Sequence, residues 1–148
     1  LAMDILDEEQ ETDTPVKSSS CYQGYRVMVA EDNLINGEIA ETFLRSFGFE
    51  VDLVKNGQEA FDTFADSPEG TYSIILMDIQ MPVMNGYDAA RQIRSCENGD
   101  AKSIPILAMS ANAFQEDVAC SLDAGMNEHL SKPIDMETLF SVIGKYIK

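Results

Sequence analysis

The sequence predicts a doubly wound α/β domain in which five parallel strands alternate with five helices. Three observations predict it. Short continuous apolar runs of strand length recur, as in Val27-Met28-Val29-Ala30 and Ile74-Ile75-Leu76-Met77. Segments with apolar residues at helical spacing lie between them, such as Ile35, Ile39, Phe43 and Phe47. Strands that are apolar on both sides belong to a parallel sheet covered by helices on both faces.

Each element follows from local signals. Arg26 to Ala30 reads as the first strand, and the Ile35-to-Phe47 stripe as an amphipathic helix stopped by Gly48. Glu50 to Val54 is the second strand. Gln58 to Ala65 is the second helix, with Ala60, Phe61 and Phe64 inward, and Ser67-Pro68-Glu69-Gly70 is a loop. Ser73 to Met77 forms the third strand, directly followed by Asp78. Gly86 to about Ser95 is helical, with Tyr87, Ala90 and Ile93 on one side. Ile104 to Met109 is the fourth strand. Phe114, Val118 and Leu122 mark a helix closed by Gly125, and Glu128 to Ser131 is the fifth strand. Asp135 caps a last helix whose Met136, Leu139, Phe140, Ile143 and Ile147 face inward.

The first 24 residues differ from this pattern. Asp4, Asp7, Glu8, Glu9, Glu11 and Asp13 precede the first basic residue, Lys17, and Ser18-Ser19-Ser20 follows. Such a composition buries little apolar area and reads as an acidic flexible linker over residues 1–24, leaving a domain over 25–148. A first residue of Leu1 reads as a piece of a longer protein.

Composition narrows the function. A net charge of −16, with only ten Lys and Arg, argues against nucleic acid and favours cations and basic partner surfaces. No apolar run reaches the length of a membrane span, so no membrane contact is expected of this domain. Cys21, Cys96 and Cys120 are widely spaced and form no zinc or disulfide pattern, which suits the cytoplasm.

Chemistry in such folds gathers at the carboxyl ends of the strands. Four of the five ends carry reactive groups: Glu31-Asp32, Asp78, Ser110 and Lys132-Pro133. Clustered carboxylates repel, and a divalent cation with a lysine compensates them. An all-oxygen donor set favours a hard ion, Mg²⁺ (or Mn²⁺). An Asp so placed is a nucleophile toward phosphorus, and phosphoryl transfer asks mainly for alignment and charge neutralisation. Mg²⁺ and Lys132 would hold two phosphoryl oxygens, and Ser110 would donate to the third.

Val29-Ala30-Glu31-Asp32-Asn33, Leu76-Met77-Asp78-Ile79-Gln80-Met81-Pro82-Val83-Met84-Asn85-Gly86, Met109-Ser110-Ala111-Asn112 and Leu130-Ser131-Lys132-Pro133 together resemble the receiver domain of two-component response regulators. The resemblance runs from Tyr25 to the C-terminus. It implies a flavodoxin-like sheet of order 2-1-3-4-5. It implies that Asp78 accepts the phosphoryl group, and that Asp32, Asp78, the Gln80 backbone carbonyl and, through water, Glu31 hold the metal. Ser110 would be the switch hydroxyl, Lys132 the family's lysine, and the bond before Pro133 cis. Gln80 and Asn112 would tune dephosphorylation. His129 stands where the family usually carries a switch Tyr or Phe. It is the chain's sole histidine, and it reads as a switch or packing residue that can titrate near neutral pH.

The resemblance implies a phosphohistidine domain of a histidine kinase as donor and a histidine-phosphotransfer domain as a further partner. Self-catalysed phosphorylation and dephosphorylation are expected of the domain itself. A hybrid sensor histidine kinase is the leading context, and a stand-alone response regulator is the near alternative. A Mg²⁺-dependent phosphatase with an Asp nucleophile is the alternative of a different class, but it wants an acid two residues after the nucleophile, where Gln80 stands. Nothing in the sequence marks an oligomeric state.

Overall fold

The computed structural model describes residues 22–110, 115–132 and 134–147. Ten elements alternate along it: β1 (Arg26–Ala30), α1 (Leu34–Ser46), β2 (Glu50–Val54), α2 (Gly57–Asp66), β3 (Ile74–Asp78), α3 (Gly86–Ser95), β4 (Ile106–Ser110), α4 (Gln115–Asp123), β5 (Glu128–Ser131) and α5 (Met136–Tyr146). The strands form one sheet in the order β2-β1-β3-β4-β5, and every neighbouring pair is parallel. The predicted class and strand order are therefore observed.

Side chains alternate between the two faces of each strand. Val27, Val29, Leu76 and Met109 pack with Ala40 and Leu44 of α1 and Leu139 and Ile143 of α5. Met28, Ala30, Met77 and Ala108 pack with Ala60 and Phe64 of α2 and Ala89, Ala90 and Ile93 of α3. Every residue of β3 and β4 is buried, which explains why their sequences are continuously apolar.

The predicted stripe on α1 needs correction. Ile35 is 68% exposed and Ile39 43%, while Phe47 is 2% exposed. Residues spaced by four advance about 40° around a helix of 3.6 residues per turn. The stripe therefore winds from solvent at Ile35 into the core at Phe47. The face on the sheet is Gly37, Ala40 and Leu44. Met136, also expected inward, is exposed, as is Leu122 on the helix that it helped to mark. The fourth strand starts at Ile106 rather than Ile104, because Pro105 has no N–H for the ladder.

Three caps set helix starts beside the strand ends. Asn33, Asn56 and Asn85 accept from the backbone N–H of Asn36, Glu59 and Asp88. Asp135 caps α5 through Thr138 N at 2.9 Å, as the sequence predicts. Tyr22 falls within the predicted linker, yet it is buried and stacks on Phe49 with ring centroids 4.7 Å apart. The remainder of that linker, residues 1–21, lies outside the described residues.

Candidate functional site

Strand order reverses about β1: the chain passes from β1 to β2 on one side and then to β3 on the other. Such a reversal opens a crevice at the carboxyl ends of the strands. The two acids of the first βα loop and the acid of the third strand meet there. Glu31 N bonds Val54 O at 3.0 Å, which carries the sheet one residue past β1. Asp78 is the last residue of β3, paired in register with Met109. Ser110 ends β4 and is buried. Its carbonyl accepts from Lys132 N at 2.8 Å, which fixes the start of the Lys132 side chain.

Lys132 reaches across this crevice. Its Nζ lies 2.8 Å from Glu31 Oε1 and 3.1 Å from Asp78 Oδ2. Glu31 and Asp78 are buried, and Asp32 is exposed at the mouth. One oxygen from each of Glu31, Asp32 and Asp78 falls within a set spanning at most 4.8 Å. Three carboxylates against one ammonium leave two negative charges when all are ionised. Burial pushes the Asp78 carboxyl up to about 6, helped by its hydrogen bond to Glu31 and by the Glu31 charge, while Lys132 pulls it down. Burial lowers the Lys132 ammonium, but its bonds to Glu31 and Asp78 outweigh that and hold it above the usual lysine value.

This donor set fits a hard divalent cation. All the side-chain donors are carboxylate oxygens, the excess charge is twofold, and the exposed Asp32 gives a path to water. Opposite ligands of Mg²⁺ stand about 4.2 Å apart, close to the observed spread. Glu31, already engaged with Lys132 and accepting from Asn33 N at 3.2 Å, suits a contact through water better than a direct one. Among the described residues, this is the one cluster of acids, histidines or cysteines with metal-binding spacing.

Residues 27–144 match the family described as response regulator receiver domain. The chain belongs to that family. The receiver is 37% identical over 124 residues to hybrid signal transduction histidine kinase I of Dictyostelium discoideum, covering 82% of this chain and 7% of the relative. It is 40% identical over 122 residues to hybrid signal transduction histidine kinase M of the same organism, covering 82% of this chain and 5% of the relative. The chain thus spans less than a tenth of either relative's length. Among solved structures, the receiver domain of a Pseudomonas aeruginosa sensor histidine kinase, with magnesium in its active-site cleft, is 39% identical. That match has a TM-score of 0.75 and covers 84% of this chain and 98% of that one. The receiver domain of an Arabidopsis thaliana histidine kinase, complexed with Mg²⁺ and BeF₃⁻, is 30% identical. Its TM-score is 0.78, covering 88% of this chain and 94% of that one. A Saccharomyces cerevisiae response-regulator receiver, co-crystallised with a histidine phosphotransfer protein, is 31% identical with a TM-score of 0.74. It covers 84% of this chain and 90% of that one.

The receiver brings Glu31, Asp32, Asp78 and Lys132 together and sets Ser110 in the neighbouring strand. Gln80 is exposed, and its N–H donates to Asp78 Oδ1 at 3.3 Å. His129 lies on β5, and its Nδ1 is 3.1 Å from Ser121 Oγ of α4. Asn112 and the peptide bond before Pro133 lie outside the described residues. Sequence reasoning missed Gly86, which it read only as the start of a helix. A Cβ on Gly86 would overlap the Asp78 carbonyl oxygen and stand 2.9 Å from Ile79 Cα, so only glycine lets α3 begin against the backbone of Asp78. No local signal separates that role from an ordinary first helical residue.

Proposed function

We propose that this receiver takes a phosphoryl group from a phosphohistidine onto Asp78, with Mg²⁺ bound by Asp32, Asp78 and the Gln80 carbonyl, and by Glu31 through water. The supporting observation is the Lys132 ammonium, held between Glu31 and Asp78 in a crevice that still carries excess negative charge. Asp78 Oδ1 or Oδ2 attacks phosphorus; a P–O bond forms as the P–N bond to the donor imidazole breaks, and the imidazole leaves. Lys132 then turns from the Asp78 carboxylate to a phosphoryl oxygen. Ser110 donates to another. Bound Mg²⁺ would neutralise charge on the transferring group. Gln80 and Asn112 would bear on the water that later hydrolyses the acyl phosphate.

The donor would be a kinase phosphohistidine domain, and a histidine-phosphotransfer domain would be a further partner; the yeast receiver structure supports the latter. Exposed Leu34, Ile35 and Ile39 on α1 form apolar surface beside the proposed acceptor rim, where such a partner could dock. The likeness to hybrid kinases supports a place in a larger kinase. Signalling would be a population shift in which His129, bonded to α4 through Ser121, responds to the movement of Ser110. Incubation with Mg²⁺ and acetyl phosphate tests the acceptor. Intact mass should rise by one phosphoryl group in the parent and not in Asp78→Asn. A gain kept by Asp78→Asn, or none in the parent, overturns the assignment.

A further inference from the structure

The loop between β3 and α3 carries the Gln80 carbonyl, and its shape is set from an unexpected side. The start of α2 is satisfied by its own sequence: Asn56 Oδ1 accepts from Glu59 N at 2.8 Å, and Glu59 Oε1 accepts from Lys55 N at 2.9 Å. This reciprocal cap leaves Gly57 N, first in the helix, to donate elsewhere. It donates to Met84 O at 2.9 Å. A Cβ on Gly57 would overlap that oxygen and stand 2.9 Å from the Met84 carbonyl carbon and 3.0 Å from Asn85 O. These neighbours are all backbone, so no side-chain movement relieves the overlap. At its other end the loop is closed by Gly86 N donating to Ile79 O at 2.8 Å. Between the clamps, Met84 N donates to Pro82 O at 2.7 Å across Val83, whose φ is +69°. That is a tight three-residue turn of the rare positive-φ kind, held by a β-branched residue that is 81% exposed. The Val83 side chain lies mostly in solvent, while Met84, at the end of its turn, is held by the bond from Gly57.

We propose that Gly57 is a positioning residue for the metal site. By admitting the Met84 carbonyl against the first turn of α2, it fixes the loop and so the height of the Gln80 carbonyl beside Asp78. The inference rests on the reading of that carbonyl as a ligand. Mg²⁺ affinity measured by calorimetry, with unfolding followed separately in chelator, tests it. Gly57→Ala should bind Mg²⁺ at least five-fold more weakly than the parent. Gly125→Ala, strained instead by its φ of +100° and set between α4 and β5, should lose stability and keep parental affinity. Parental affinity in Gly57→Ala, or equal weakening in Gly125→Ala, overturns the proposal. A parent that binds no Mg²⁺ overturns the metal reading and this inference with it. Should Gly57→Ala fail to fold, the Val83 pair decides. Val83→Asn, which tolerates the left-handed backbone, should keep Mg²⁺ affinity, whereas Val83→Gly, which frees the turn, should lose it. Equal affinities in the two contradict the proposal.

Discussion

Asp78→Asn is expected to stabilise the metal-free protein at neutral pH, although it removes the proposed acceptor. Burial, the bond to Glu31 and the Glu31 charge raise the Asp78 carboxyl from 3.8 to about 6. A carboxyl whose folded pKa lies above its unfolded value costs nothing below the unfolded value. Its penalty grows as pH rises through the folded one. The gap is therefore absent below about pH 4, opens between about pH 4 and 6, and is complete at pH 7. At about 1.4 kcal/mol per pH unit it reaches about 3 kcal/mol at most, and sharing of the charge with Glu31 reduces it toward about 1. Lys132 keeps its 2.8 Å partner Glu31 in the variant, so no buried ammonium is orphaned. Urea unfolding in chelator at pH 7 and pH 4 reads the difference, and thermal unfolding should shift by about 5–10 °C at pH 7. A variant no more stable than the parent at pH 7, or a gap that persists unchanged at pH 4, would refute the reasoning.

Other outcomes follow from the same geometry. Lys132→Met leaves Glu31 and Asp78 buried without their ammonium and should cost about 3 kcal/mol in chelator at pH 7; denaturant titration should show a smaller loss in the Asp78→Asn background, and equal losses would mean the pair is not coupled. Mg²⁺ at a hundred times its Kd should stabilise the parent by about 2.7 kcal/mol and Asp78→Asn by less, read as the shift in thermal midpoint. Ile35→Lys, on a side chain 68% exposed, should change stability by less than about 0.5 kcal/mol. It should leave the acetyl phosphate rate unchanged while slowing transfer from a phosphohistidine domain, and parental transfer would remove α1 from the docking surface.

Architecture was legible because burial on both faces writes itself as continuous apolar strands, as in β3 and β4. The acids, hydroxyl and lysine of the crevice were legible because each directly ends or follows a strand. Helix orientation was less so. The four-residue spacing on α1 follows a winding line, and Gly37 and Ala40, too small to register as a stripe, make the buried face. The Lys132 bridge needed the register of β4 and β5 before its reach to Glu31 could be seen. Gly57 and Gly86 act through absent atoms against backbone distant in sequence, which no pattern of side chains records.

The most direct test of the account is the location of the phosphoryl group. After Mg²⁺-dependent phosphorylation by acetyl phosphate, borohydride reduction converts an aspartyl phosphate to homoserine, which peptide mass spectrometry can place. The expected result is homoserine at position 78 alone, absent when Mg²⁺ is chelated. Modification at Glu31 or Asp32, or at position 78 without need of Mg²⁺, would contradict it.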